Sequence, residues 1–336
     1  DEALVDLDFM VSVDIYCNET TRHADVILPP PSPLERSHYD ISFTNLSVHN
    51  FAHYSAPTFI TDAPSEAQIL AKLSMILGGQ GVHADPGEMD ETLLRGALEG
   101  HITNQNSPLF GRTTEELLPE FEEHAGPDAL LDLMIRTGPY GDLFGQNPDG
   151  LSIGKLQQNP HGVDLGPLTE RMPEVLSTSS GRIDAAPLEI MSDFDRLDAM
   201  LAESDPDQLM LIGRRDIRSN NSWMHNLAGL RPGRDRCSLH INPLDAEKHG
   251  LREGDTTSLS SRAGKVTVTV HVTDELMPGV VSLPHGWGHG IEGTRLRVAQ
   301  DHAGVNSNIL TDRECMDPLS GNAVLNGIPV SIIPST

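Results

Sequence analysis

The sequence predicts an α/β segment over residues 1–64, a helical region and connector over 65–206, and an all-β barrel over 207–336. Three observations predict it. Near the N-terminus, two short apolar runs flank a polar loop. Between 65 and 140, apolar residues recur at helical spacing. From Gln208 onward, short β-branched runs alternate with polar residues and carry one compact helix.

In chain order, Leu7, Phe9, Val11 and Val13 alternate up to Asp14 and predict a strand. A polar stretch follows from Asp14 to Asp25, and a second run, Val26-Ile27-Leu28, stops at the three prolines 29 to 31. A polar loop between two short buried strands is the usual seat of ligand contacts in an α/β sheet. The same residues also read as an ordinary surface connection. The chain begins Asp1-Glu2-Ala3, without an initiator Met, and enters the strand pattern almost at once. A piece of a longer protein is the expectation.

Ser65 and Gln68 form a capping-box pattern, and Ile69, Leu70, Leu73, Ile76 and Leu77 mark one face of a helix ended by Gly78-Gly79. Leu93, Leu94, Ala97 and Leu98 predict a second helix closed by Gly100. A third runs from Asp128 to Arg136, with Gly138 after it. Residues 138–206 are rich in Gly, Pro and Asp, and read as a long connector carrying one short strand near Gly181-Arg182-Ile183.

In the last part, Leu209 to Ile212 predicts a buried strand. Val266, Val268, Val270 and Val272 alternate with Thr267, Thr269, His271 and Thr273, a strand with one wet face. Ile328, Val330 and Ile332 predict another. Between them Asn242 is placed as N-cap, Pro243 at the first helical position and Gly250 after the end. Several short strands with one small helix predict a compact barrel of about 130 residues.

Bulk properties bound the function. A hydrophobic content of 38% and a mean hydropathy of −0.27 fit a globular protein. No run of about 18 apolar residues marks a membrane span. The net charge of −26 argues against a nucleic-acid backbone as partner. Cys17, Cys237 and Cys315 are far apart, which predicts a reducing, cytoplasmic setting and no iron–sulfur ligand set within this chain.

Two loops hold the candidate binding residues. After the run Gly279 to Leu283 comes Pro284-His285-Gly286-Trp287-Gly288-His289. Gly286 and Gly288 let other atoms approach the backbone, and the loop offers donors and an aromatic face to a large planar polar ligand. On a helix, His285 and His289 could share a zinc ion. Pro284 and the two glycines argue against that helix. A purely structural Gly-rich turn is the third alternative. The other loop starts Gly213-Arg214-Arg215 and continues through Asn220-Asn221-Ser222-Trp223. Residues 210–240 hold six Arg (214, 215, 218, 231, 234, 236) against two Asp (216, 235). Such a concentration points to an anion, against the alternative of a solvated loop with incidental charge.

On these residues the chain resembles the C-terminal portion of molybdopterin oxidoreductases of the dimethyl-sulfoxide-reductase superfamily, with formate-dehydrogenase-like members most similar. The resembling motifs are Gly213-Arg214 with the turn Asn220-Asn221-Ser222, the loop 285–289, Asn308-Ile309-Leu310-Thr311 with Asp317-Pro318-Leu319-Ser320, and Asp14-Ile15-Tyr16 through Ala24-Asp25-Val26-Ile27-Leu28-Pro29. Asn18 stands where Thr is common in the family, and Gly321 where a basic or amide residue is common.

The resemblance implies that the last domain is a six-stranded double-psi barrel. It implies a bis-molybdopterin guanine dinucleotide carrying molybdenum or tungsten. Its contacts would be Asp14, Asn18, Gly213, Arg214, Asn220, Asn221, Ser222, Trp223, His285, Gly286, Trp287, Gly288, His289 and Asn308. The metal ligand and a 4Fe-4S cluster would lie in an N-terminal half not matched here, so the catalytic residues would lie there too and no metal ligand is expected in this chain. The implied partners are that half and an electron-transfer subunit. Formate and nitrate are the implied substrate classes. A stand-alone cofactor-binding or delivery module, and a double-psi barrel without this cofactor, are the alternatives.

Overall fold

The computed structural model describes residues 2–124, 126–203, 205–230 and 235–334. Contacts group the chain into two compact units, 11–15 with 27–175 and 1–10 with 16–26 and 176–336. The sequence reading instead divides it at 64 and 206.

The first unit holds short strands and most of the helix. β1 (Val11–Val13) pairs with β2 (Val26–Leu28). β3 (His38–Tyr39), β4 (His49–Ala52) and β5 (Tyr54–Ser55) follow, β3 antiparallel to β5. The alternation from Leu7 gives a strand only from Val11. Leu7 and Phe9 are exposed, so the pattern there has no core to face.

The helix Glu66–Leu77 has both halves of its capping box, Gln68 N donating to Ser65 Oγ and Ser65 N donating to Gln68 Oε1. The second helix runs from Pro86 to Thr103, straight through Gly96 and Gly100, where the sequence predicts a stop. A helical Gly costs about 1 kcal/mol. Burial of Leu94 and Leu98 against Leu109, Leu117 and Leu133 outweighs it. The third helix, Pro127–Thr137, ends as expected at Gly138.

The strand expected near Gly181 does not form. Gly181 sits in a turn at φ +63°, with Thr178 Oγ1 donating to Arg182 O. The strand of this stretch is β6 (Val163–Pro167), which has a partner to pair with, antiparallel β4. Short helices at Ile153–Gln157, Leu188–Met191 and Phe194–Ala202 also interrupt the connector.

The second unit contains the barrel. Its strands are β7 (Leu209–Arg214), β8 (Ser238–Ile241), β9 (Thr256–Ser260), β10 (Lys265–Val272), β11 (Val280–Pro284) and β12 (Ile328–Pro334). They close in the order β10-β8-β11-β7-β12-β9. β7 with β11 and β8 with β10 are parallel, and the other pairings are antiparallel. Leu209, Leu211, Leu239, Ile241, Leu259, Val281, Leu283 and Val330 fill the interior. On β10, Val266, Val268 and Val270 point in and Thr267 and Thr269 point out, as the alternation predicts.

The helix Pro243–Lys248 is capped by Asn242 Oδ1, which accepts from Leu244 N. Gly250 follows at φ +66°. Among the described residues no helix is long and apolar enough to cross a membrane.

Candidate functional site

The parallel pairing of β7 and β11 decides where the two candidate loops meet. Gly213 lies opposite Leu283 and Arg214 opposite Pro284, so both loops leave the same end of neighbouring strands. His285 N donates to Arg214 O at 3.3 Å, and His285 Nε2 sits 2.9 Å from Asn221 Oδ1.

A cavity of about 540 Å³ opens at this end. Its floor is Leu211, Leu283, Leu325 and Ile328, and its polar wall includes Gly213, Arg215, Asn221, His285, Asn308 and Asn326. Ser307 and Thr311 add hydroxyls. Asn326 Oδ1 accepts from Gly213 N at 2.7 Å, which pins the end of β7 to the approach of β12. Arg215 is exposed and its guanidinium makes no hydrogen bond with another described residue, so its charge is available to an anion.

The structure sorts the sequence-predicted residues into two groups. Gly213, Asn221, His285, Gly286 and Asn308 line the cavity. The rest are placed otherwise. Arg214 donates from Nη1 to Ser282 O at 3.0 Å, and from Nη2 to Ser238 O at 3.0 Å and Arg236 O at 3.4 Å. It clamps three strands and lines a separate cavity of about 360 Å³ with Arg236 and His240, and burial pulls its pKa down.

Gly286, on the cavity wall, and Gly288 both sit close against the chain itself. At Gly286 (φ +85°) a Cβ would lie 2.3 Å from Asn221 O, and at Gly288 (φ +111°) 2.5 Å from Asn306 Cβ. Trp287 packs over His225 with ring centroids 4.1 Å apart, and His289 is buried. Asn220 (φ +41°) and Asn221 (φ +61°) take left-handed conformations that Asn tolerates. Asn220 is exposed and Ser222 half-buried outside the cavity, while Trp223 is 73% exposed. Asn18 Oδ1 accepts from Thr20 N and Thr21 N, a local turn. Asp14 belongs to the other unit, where its amide donates to Leu28 O.

Of the arginine cluster, Arg236 pairs with Asp216 at 3.3 Å, and Arg231 and Arg234 lie outside the described residues. Cys17 Sγ donates to Gly293 O, and burial pushes the Cys237 thiol up to about 11. Cys237 is therefore not a poised thiolate.

Sequence reasoning missed Arg215 as an individual contact, Ser307 and Asn326. Arg215 was hidden in a charge cluster. Asn326 is one Asn among many until β12 closes against β7. Among the described residues there is no group of three or more His, Cys, Asp or Glu suited to a metal ion, and His285 and His289 point to different neighbours.

Residues 209–329 match the family described as the molydopterin dinucleotide binding domain. The barrel is a molybdopterin dinucleotide-binding domain. Over 289 residues the chain is 25% identical to a protein of Halobacterium salinarum described as the catalytic chain of a dimethyl sulfoxide reductase, covering 85% of this chain and 30% of that protein. Over 109 residues it is 30% identical to a tetrathionate reductase chain of Salmonella typhimurium, covering 27% of this chain and 11% of that one. Acetylene hydratase from Pelobacter acetylenicus shares the fold at a TM-score of 0.52 and 17% identity, over 99% of this chain and 41% of its own.

Over most of its length the chain is thus similar to proteins described as dimethyl sulfoxide reductases, and it spans about a third of the length of the curated relatives it matches most fully. The dinucleotide-binding barrel also fits its ligand. A cavity of about 540 Å³ lies within the ordinary range for small-molecule sites. The Asn308 amide and the amide NH2 groups of Asn221 and Asn326 can pair with a base edge, and Arg215 with a phosphate.

Proposed function

We propose that this chain holds the guanine dinucleotide half of a molybdopterin cofactor for a reductase of small oxo-compounds. The observation that carries the reading is the cavity at the shared end of β7 and β11, where Arg215, Asn221, His285, Asn308 and Asn326 converge over an apolar floor. Arg215 would meet a phosphate, and the Asn amides a purine edge. The apolar floor would exclude water from the base. When bound, the molybdenum centre supplies the redox change. The residues of this chain bind and orient the far end of the cofactor that carries it.

The reductase reading rests on the named relatives, which are dimethyl sulfoxide and tetrathionate reductases. Formate oxidation or nitrate reduction is the second reading, and rests on the resemblance of the sequence to formate-dehydrogenase-like members. A bis form of the cofactor, a cytoplasmic setting, a cluster-bearing remainder of the protein and an electron-transfer subunit belong to the same proposal.

The test uses GDP as a probe of the dinucleotide end. Calorimetry should detect GDP binding to the chain, weakened about tenfold or more by Arg215→Ala, as loss of a charge-assisted hydrogen bond implies. Failure of the unaltered chain to bind millimolar GDP would overturn the assignment. Turnover of dimethyl sulfoxide but not formate by the molybdenum-loaded holoprotein would separate the two readings of substrate.

A further inference from the structure

The barrel end carries a buried hydrogen-bonded row that ligand contacts do not explain. His289 Nδ1 lies 2.8 Å from Glu19 Oε1, and His289 Nε2 lies 2.8 Å from His225 Nδ1. His289 and His225 are 2% and 7% exposed. The row ties together three stretches far apart in sequence, namely 16–26, the loop after β7 and the loop after β11. The first is fixed to the same region by Arg295 N donating to Cys17 O and by Arg22 Nη1 donating to Glu292 O. The other two carry Asn221 and His285 of the cavity wall.

The proton count of this row is constrained by its geometry. Glu19 accepts, so His289 Nδ1 carries a hydrogen. A 2.8 Å contact between two ring nitrogens holds only one hydrogen. If both imidazoles were charged, each facing nitrogen would carry one and the contact would break. The other nitrogen of His225 is buried without a hydrogen-bond partner among the described residues, as is Trp287 Nε1. Nothing there compensates a second charge.

We propose that Glu19, His289 and His225 form an acid-sensitive clasp that closes 16–26 and the two loops onto the barrel end, and so holds Asn221 and His285 in place. Closed, the clasp carries at most one imidazolium. An imidazole released to water has the ordinary value of about 6.5. Opening in acid therefore takes up at least one proton, and the open fraction rises about tenfold per pH unit below that value.

The surroundings agree in sign. Burial first, and then His289, push the His225 pKa down to about 4. Asp216 on its own loop and the Gly286 backbone pull it up, and Arg236 from the approach to β8 pulls it down. A base with a depressed pKa favours the closed form above about 6.5, and that preference is lost as pH falls toward 4.

The clasp can be tested on the full 336-residue chain without any cofactor. Trp223→Phe leaves Trp287, stacked on His225, as the single tryptophan reporter. Its emission is titrated from pH 8 to 4. Hydrogen exchange of peptides spanning 16–26 and 285–295, corrected for intrinsic rates, is followed over the same range. We expect quenching, and faster exchange in both peptides, to begin below pH 6.5 while the strands β7–β12 stay protected. His289→Gln, which can bond both ways without titrating, should remove most of that pH dependence. Should it not fold, Glu19→Ala should speed exchange in 16–26 already at pH 8. Exchange that is flat from pH 8 to 5, full pH dependence retained in His289→Gln, or unchanged exchange in Glu19→Ala would each overturn the proposal.

Discussion

Two layers of residues at one end of the barrel share Gly, His and Arg, yet their roles differ. In the inner layer, Arg214, Gly286, Gly288, Trp287, His225 and His289 are spent on each other and on the backbone. In the outer layer, Arg215 and Asn308 face a cavity, and Arg215 keeps its guanidinium uncommitted. Adjacent arginines, 214 and 215, fall on opposite sides of this divide because Arg214 ends β7 and reaches across to β11 and β8, while Arg215 lies just past the strand and lines the cavity. The lesson is that a binding loop is mostly scaffold. Its specificity rests on the few groups that the scaffold leaves unpaired.

Changes in the inner layer should cost stability first. Gly288→Val adds a Cβ against Asn306 at a φ of +111°, so strain and overpacking together should cost roughly 3–5 kcal/mol. Urea unfolding should show this even without ligand. A variant with unaltered stability and only lost ligand binding would move Gly288 to the outer layer. Arg214→Ala leaves partly buried carbonyls of Ser282 and Ser238 unpaired, at about 2–4 kcal/mol. Arg214→Lys should rescue little, because an ammonium cannot reproduce the planar fork.

The pH dependence comes next. The unfolded chain protonates His225 near 6.5 and the folded chain only near 4. Stability should therefore fall as pH drops through that window, by at most roughly 3 kcal/mol from this group. His225→Gln should flatten the corresponding part of the stability profile, and an unchanged slope would remove His225 as its source.

The smallest effect on folding should come from the outer layer. Arg215→Ala should change stability by less than about 0.5 kcal/mol, as for other exposed positions, while GDP binding falls about tenfold. A large stability loss there would erase the distinction between the layers.

Much of this was legible in the sequence, for local reasons. The helix Glu66–Leu77 was readable because its capping box lies within four residues. The Asn242 cap and the β10 alternation were equally local. The helix Pro86–Thr103 was cut short at Gly100 because the compensating burial of Leu98 against Leu109, Leu117 and Leu133 is tertiary. The strand Val163–Pro167 was missed because its partner, His49–Ala52, lies more than a hundred residues away. The candidate loops were found from composition and motif, but their internal roles were not. The sequence marks Arg214 and Arg215 alike, and nothing local says which one packs across β11 and β8.

By itself, the sequence determined the class of the protein: an acidic chain whose last portion alternates at strand period, with Arg- and Gly-rich loops in a recognisable order. Periodicity, caps and motifs are short-range properties, and they survive translation into residues. Tertiary structure decided what each loop residue does. Closing β7 beside parallel β11 brought Asn221 against Gly286 and His225 against His289 across 64 or more residues. The 16–26 segment supplied Glu19 from the far end of the chain. Which donors are consumed and which remain for a ligand depends on those long-range contacts, because a polar group in a folded protein is defined by the partner it has already found.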